Sequence, residues 1–238
     1  MAIKRKRRKL YEYIVEEIGL RILGGSYQVG DTLPNEETLS KELDISRGVL
    51  REATKVLTQK GLIQTRPKTG TQVMPRSSWN LFDRDVLTWK LQLEDQTIFL
   101  KKVTEVRCII ESEAARFAAR RASDDDIDRM RMQLNEMQNL FEQTSEFNYQ
   151  EYLSKDMAFH TAIMEASSNE LLSQIGFTMR QAVFAARQMD IQDTRLHQES
   201  MQLHRAVLSA IEKHDSQAAY LASQKMFDQV WRNIPKIN

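Results

Sequence analysis

Glycine and proline are spread so unevenly along the 238 residues that they divide the chain in two: seven of eight glycines and three of four prolines lie within the first 78. Between residues 97 and 234 a single glycine, Gly176, interrupts the chain, and no proline does. A stretch of that length without the two strongest breakers of regular structure reads as consecutive helices, whereas the first part must turn repeatedly. Charge divides at the same place. Residues 1–78 carry 15 Lys and Arg against 9 Asp and Glu, and the remaining 160 carry 19 against 24, so a formal total of +1 conceals a basic part and an acidic part.

Several classes are excluded early. No apolar run approaches the roughly 18 residues of a membrane span, and no hydrophobic stretch follows the N-terminal charges as in a secretory signal. The single cysteine, Cys108, allows no intramolecular disulfide and no thiolate-rich zinc or iron–sulfur site, which fits a reducing cytoplasm. Dinucleotide and P-loop glycine motifs are missing.

Behind a basic tail, residues 1–9, Leu10, Ile14, Ile18 and Ile22 recur every fourth residue and predict an amphipathic helix closed by Gly24 and Gly25. Asn35 is a suitable N-cap for a short second helix, and Ser46 for a third that stops at Gly61. Leu62–Arg66 and Thr71–Met74 alternate around Pro67-Lys68-Thr69-Gly70 and predict a hairpin with a basic tip. Three helices and a hairpin over residues 10–74 make a winged helix-turn-helix.

On the third helix Val49, Ala53, Val56 and Leu57 supply a packing stripe, while Arg47, Arg51 and Lys55 follow one another at spacing four on another face, with only the offset Glu52 as counter-charge. Such a row suits the major groove, where arginine pairs bidentately with guanine or bridges phosphates. Ser46 and Gly48 at the helix start, and Lys68, Thr69 and Gly70 at the hairpin tip, complete the expected DNA contacts. A merely solvated basic face is the alternative, and the surrounding helix order and charge favour DNA.

Residues 75–96 read as a linker followed by a docking segment bracketed by Trp79 and Trp89. Beyond them helices are expected at 97–121, 123–143, 146–167, 169–188, 197–213 and 216–233, a bundle occupying 97–234. Three of its apolar stripes contain polar residues: Arg107 on the first helix, Asp156 and His160 on the third, His204 on the fifth. Buried unpaired, each would cost several kcal/mol, so a shared polar cavity is expected. Asp156 and His160, one turn apart, with His204 from a facing helix, also have the arrangement of three ligands for Zn2+, Ni2+ or Mn2+. The alternative is hydrogen-bonded core polar residues with no ion.

The run Gly30-Asp31-Thr32-Leu33-Pro34-Asn35-Glu36, then Ser46-Arg47-Gly48-Val49-Leu50-Arg51-Glu52-Ala53, Gly61-Leu62-Ile63 and Thr69-Gly70-Thr71-Gln72-Val73 resembles the DNA-binding domain of the GntR family of bacterial transcription regulators. The second half resembles the FadR-type effector domains of that family, in which one Asp and three His commonly hold a metal. Asp156-x-x-x-His160 and His204 match three of those ligands; Met226 stands where the fourth is expected. Arg107 matches an arginine that holds an effector carboxylate. Where many members place a DNA-contacting arginine this chain has Glu37, so that contact is not carried over. The resemblance implies a homodimeric repressor that reads an inverted repeat of double-stranded DNA and responds to a small anionic effector, a sugar acid such as galactonate. A metal-dependent hydrolase or lyase and a ligand-free architectural DNA binder are the competing expectations.

Overall fold

The computed structural model describes residues 2–93, 96–142, 147–187 and 194–233. The expected helix ends at residues 143, 146 and 188 lie outside the described residues, as do the side chains of Lys4 to Lys9. The chain forms two compact units, Met1–Asp95 and Gln96–Asn238.

The first unit contains α1 (Ala2–Leu23), α2 (Glu36–Glu42), α3 (Arg47–Gln59), β1 (Ile63–Arg66), β2 (Gly70–Val73), a 3-10 turn (Arg76–Ser78) and α4 (Arg84–Leu93). The first helix was expected to start after the basic tract, but α1 reaches back to Ala2; Ala, Lys and Arg are good helix formers and nothing in that run stops a helix. Ile14, Ile18 and Ile22 of α1 meet Leu50, Ala53 and Leu57 of α3 in one core. Full burial of each of these isoleucine and leucine chains stabilises by about 1.5–3 kcal/mol. Asn35 caps α2 through Thr38 N at 2.9 Å, and Ser46 caps α3 through Val49 N at 3.3 Å. These two caps set where the helix-turn-helix bends. β1 and β2 pair antiparallel, Ile63 opposite Val73 and Arg66 opposite Gly70, and Thr32 bridges to Gln72 on the outer edge.

Residues 75–93 pack on this first unit. Trp79 donates its indole N–H to the Met74 carbonyl at 2.9 Å, and α4 lies against α1, where a Cβ on Gly19 would come within 2.5 Å of the Trp89 ring. Gly61 ends α3 at φ +72, and a Cβ there would stand 2.0 Å from the Ser78 carbonyl oxygen, so both conformation and space demand glycine. Lys60 beside it is 6% exposed and places its ammonium 2.7 Å from both Asp83 and Asp85. Burial works against its charge, and the two carboxylates outweigh that and raise its pKa.

The second unit contains α5 (Gln96–Arg121), α6 (Asp124–Glu142), α7 (Tyr149–Ala166), α8 (Glu170–Arg187), α9 (Thr194–Glu212) and α10 (Ser216–Asn233). All six expected helices are present. A reciprocal cap starts α6: Ser123 Oγ accepts from Asp126 N while Asp126 accepts from Ser123 N at 2.9 Å. α5 is central, touching α7, α8, α9 and α10. Ala114, Ala115, Ala118 and Ala119 are all buried on it, and side chains this small let the surrounding helices approach closely. No helix among the described residues is long and apolar enough to cross a membrane.

Candidate functional site

Two places carry chemistry, one in each unit. In the first, Arg47, Arg51 and Lys55 stand on the exposed face of α3, with side chains 59%, 64% and 69% exposed. The expectation that only Glu52 opposes them is incomplete. Glu36 accepts from Arg51 Nε at 3.0 Å, Glu37 lies 3.3 Å from Arg47, and Lys55 pairs with Glu52 at 2.8 Å. The acidic first turn of α2 thus reaches the basic face of α3. Such exposed pairs contribute about 0–1 kcal/mol each, so the arginines can exchange partners at little cost. Ser46 Oγ is engaged as a cap acceptor and retains its hydroxyl proton for an external acceptor. Gly48 is exposed beside it, and Lys68, Thr69 and Gly70 form an exposed hairpin tip, with Lys68 at φ +70 and Gly70 at φ +83.

In the second unit the structure brings together Arg107, Asp156, His160 and His204, and adds Glu111 and Arg180, which the sequence reading did not single out. His160 Nε2 lies 3.2 Å from His204 Nε2, and Asp156 Oδ1 lies 3.0 Å from His204 Nε2 and 3.8 Å from His160 Nε2. Glu111, 3% exposed, accepts from Arg107 Nε at 2.7 Å, from His160 Nδ1 at 3.1 Å and from Arg180. Arg180 NH1 lies 3.8 Å from Asp156 Oδ2. α5 therefore contributes Arg107 and Glu111 one turn apart, α7 Asp156 and His160 one turn apart, α8 Arg180 and α9 His204.

The electrostatics follow from burial. Burial alone would raise the carboxyl pKa of Glu111, but Arg107, Arg180 and His160 outweigh it and hold the group well below the usual range. Burial also opposes ionisation of Asp156, and the hydrogen bond with His204 together with the positive charges around it reverses that. Burial, then the Arg180 charge, pushes His160 down to about 4, so its ring is neutral near pH 7.

These ionisation states test whether a metal fits. The Nδ1 atoms of His160 and His204 face acceptors, Glu111 at 3.1 Å and the Ser200 carbonyl at 2.7 Å, which places the ring protons on Nδ1. The Nε2 atoms of both rings and the Asp156 oxygen then converge on one space in which a cation would fit; in its absence His204 Nε2 and Asp156 Oδ1 are hydrogen-bonded at 3.0 Å. Bonds of about 2.0–2.1 Å to one tetrahedral ion separate ligand atoms by about 3.4 Å, and the three distances of 3.0, 3.2 and 3.8 Å bracket that value. The donor set fits a metal with three protein ligands. Met226, the position of the missing histidine, is buried and offers only a weak thioether.

Beside this group lies a small cavity of about 20 Å³ lined by Arg107, Asp156 and Arg180 together with Leu153, Met157, Val183 and Phe184. That volume holds about one water molecule, so a larger ligand would need the surrounding side chains to part.

Two family models divide the chain where the units divide. Residues 10–73 match the model for bacterial regulatory proteins of the gntR family, and residues 102–229 match the FCD domain. The chain belongs to the gntR family, with an FCD domain. Among curated relatives of this gntR-family chain, the galactonate operon transcriptional repressor of Escherichia coli K12 is 32% identical over 94% of this chain and 96% of its own length. The uncharacterized HTH-type transcriptional regulator YieP of the same organism is 31% identical over 92% of this chain and 93% of its own length. The solved GntR of Streptococcus agalactiae, 22% identical, matches 93% of this chain and 99% of its own with a TM-score of 0.53, which supports the fold. The gntR-family chain is accordingly a DNA-binding transcriptional regulator.

Proposed function

We propose that the protein is a homodimeric repressor, that each winged unit binds one half of an inverted-repeat operator, and that a small sugar acid bound in the cavity beside Arg107 releases it. The observation that supports this reading is the buried polar cluster, in which Arg107 and Arg180 meet the Asp156, His160 and His204 group beside a small cavity that Arg107, Asp156 and Arg180 line. Arg107 supplies a fixed fork for a carboxylate. Asp156, His160 and His204 would hold Zn2+, Ni2+ or Mn2+, which supplies positive charge for a ligand oxygen. Galactonate is the first candidate, because the relative that represses the galactonate operon matches this chain over nearly all of both lengths.

On α3, Arg47, Arg51 and Lys55 would meet bases and phosphates, with Ser46 and Gly48 against the backbone and Lys68, Thr69 and Gly70 at the adjoining groove. Two-fold dimers read palindromic sites because the symmetry of the protein is repeated in the DNA. Release requires only that the sugar acid bind the DNA-free arrangement more tightly than the DNA-bound one.

A gel shift on an operator recovered from a random duplex library tests this reading. Galactonate should dissociate the wild-type complex, and Arg107→Ala should bind the same operator but no longer respond. Equal release of the variant at the same galactonate concentration would overturn the assignment of the cavity.

A further inference from the structure

The sequence marks residues 75–96 as a linker with a docking segment, and the structure fastens α4 to the first unit at three points along its length. At its start, the Lys60 ammonium at the end of α3 lies 2.7 Å from both Asp83 and Asp85 and 5.6 Å from the centre of the Trp89 ring. Asp83 also begins α4, since its carboxylate accepts from the backbone N–H groups of Asp85 and Val86. Midway, Val86 and Trp89 are buried in the core that α1 and α3 share. At its end, the Leu93 side chain comes within 3.4 Å of where a Cβ on Gly24 would stand.

A buried lysine held by carboxylates adds little to stability, because desolvation offsets the attraction and apolar groups of similar volume often serve as well. The best attested use of such a group is to fix one arrangement among several. Here it fixes α4 on the end of α3. That choice governs reach. Two residues separate Leu93 from Gln96, where α5 begins, so while α4 is docked those ends stand at most about 11 Å apart. With α4 released from Asn80 onward, the same connection becomes a chain with a root-mean-square span of about 20 Å or more. Each added base pair moves a half-site by about 3.4 Å and turns it by about a tenth of a turn. A short leash therefore admits few spacings between half-sites, and a long one admits many.

We infer that the docking of α4, held by Lys60 and Trp89, sets which spacing between half-sites the dimer accepts. Both side chains are buried, at 6% and 4% exposure, and so act without meeting DNA themselves. They are positioning residues, and what they control is the length of free chain between the unit that binds a half-site and the unit that follows it. This deepens the reading of a homodimer on an inverted repeat and rests on it.

Gel shifts with the full-length protein test this on the operator recovered by selection, on versions of it with base pairs added or removed between the half-sites, and on a duplex with a single half-site. Wild type should bind its best spacing at least about a hundredfold more tightly than spacings two base pairs away, since linked binding gains about 10²–10⁴ only where both contacts can be made together. Lys60→Glu brings a third carboxylate against Asp83 and Asp85, and should flatten the series to within about tenfold while the single half-site is bound as by wild type. A flexible six-residue Gly/Ser insertion after Glu94 lengthens the leash without touching α4 and should flatten the series as well. A preference that stays sharp after the insertion overturns the inference. A series flattened by the insertion but not by Lys60→Glu overturns the role of the latch and leaves the homodimer standing. A wild type that favours repeats over the single half-site yet accepts every spacing also overturns the inference alone; one that binds the single half-site as tightly as any repeat removes the dimer reading with it. Should Lys60→Glu not fold, Gly19→Ala decides, because its methyl would stand 2.5 Å from the Trp89 ring and push α4 away from the other side; an unchanged spacing preference in that variant refutes the latch.

Discussion

Replacing Glu111 with glutamine keeps the shape of the side chain and removes one negative charge from the most buried part of the helical unit. In the native structure that charge balances Arg107 and Arg180, which are 5% and 3% exposed. Glutamine leaves two buried guanidiniums facing only Asp156, itself engaged by His204. Removing one partner of a buried ion pair costs about 3–5 kcal/mol, because the remaining charge loses its partner without regaining water. At about 2–4 °C per kcal/mol for a unit of this size, the melting temperature of the helical unit should fall by roughly 10 °C. Far-ultraviolet circular dichroism during thermal and urea unfolding of metal-free protein measures it. The double variant E111Q/R107Q should be less destabilised than the sum of its single variants, since the second change removes an unpaired charge. Stability of E111Q within about 1 kcal/mol of wild type, or strict additivity in the double variant, would refute the claim that Glu111 neutralises these two arginines.

The DNA face, the metal group and pH give further expectations. Arg51→Ala should lower operator affinity by at least about tenfold, as for one lost bidentate base contact, with an unchanged melting temperature because the side chain is 64% exposed; undiminished affinity in a gel shift removes Arg51 from the groove. Zn2+ at 100 times its dissociation constant should stabilise wild type by about 2.7 kcal/mol and leave His204→Ala unmoved; equal thermal shifts in both proteins would place the ion elsewhere. In metal-free protein the folded pKa of His160, about 4, lies below the unfolded value of about 6.5. Between those values the unfolded chain takes up a proton that the folded chain refuses, so stability falls with pH, by on the order of 2 kcal/mol from pH 6.5 to 5. Urea unfolding at both pH values should show this loss in wild type and not in His160→Phe.

Much of this arrangement is written in local spacing. Asp156 and His160 share a face because they are four residues apart on one helix, and the caps at Asn35, Ser46 and Ser123 are visible because each precedes its helix immediately. Glu111 was also within reach, four residues beyond Arg107. The stripe read on that helix, through Ile110 and Phe117, passed beside it. The buried face of α5 in fact runs through Arg107, Glu111, Ala114, Ala115 and Ala118, and a face built from a cation, a carboxylate and alanines has little hydrophobic contrast to announce it. Arg180 had no local signal at all. Its partner Glu111 lies 69 residues away on another helix, so the sequence around it reads as an ordinary charged position. The reach of Glu36 and Glu37 to α3 escaped for the same reason, since only the angle between two helices brings those side chains together.

That last contact bears on how the protein finds its site among others. One nitrogen of each of Arg47 and Arg51 is already paired with a carboxylate, so on the proposed DNA face a random duplex that offers only phosphates would replace one anion with another and gain little. A half-site that also presents guanine acceptors in the right register gives the same nitrogens something the carboxylates cannot match in shape. If Arg47 and Arg51 meet DNA as proposed, Glu36 and Glu37 would act as resident competitors for it. They would shorten stays on the wrong sequence more than on the right one, so that two residues that need never touch a base would sharpen discrimination.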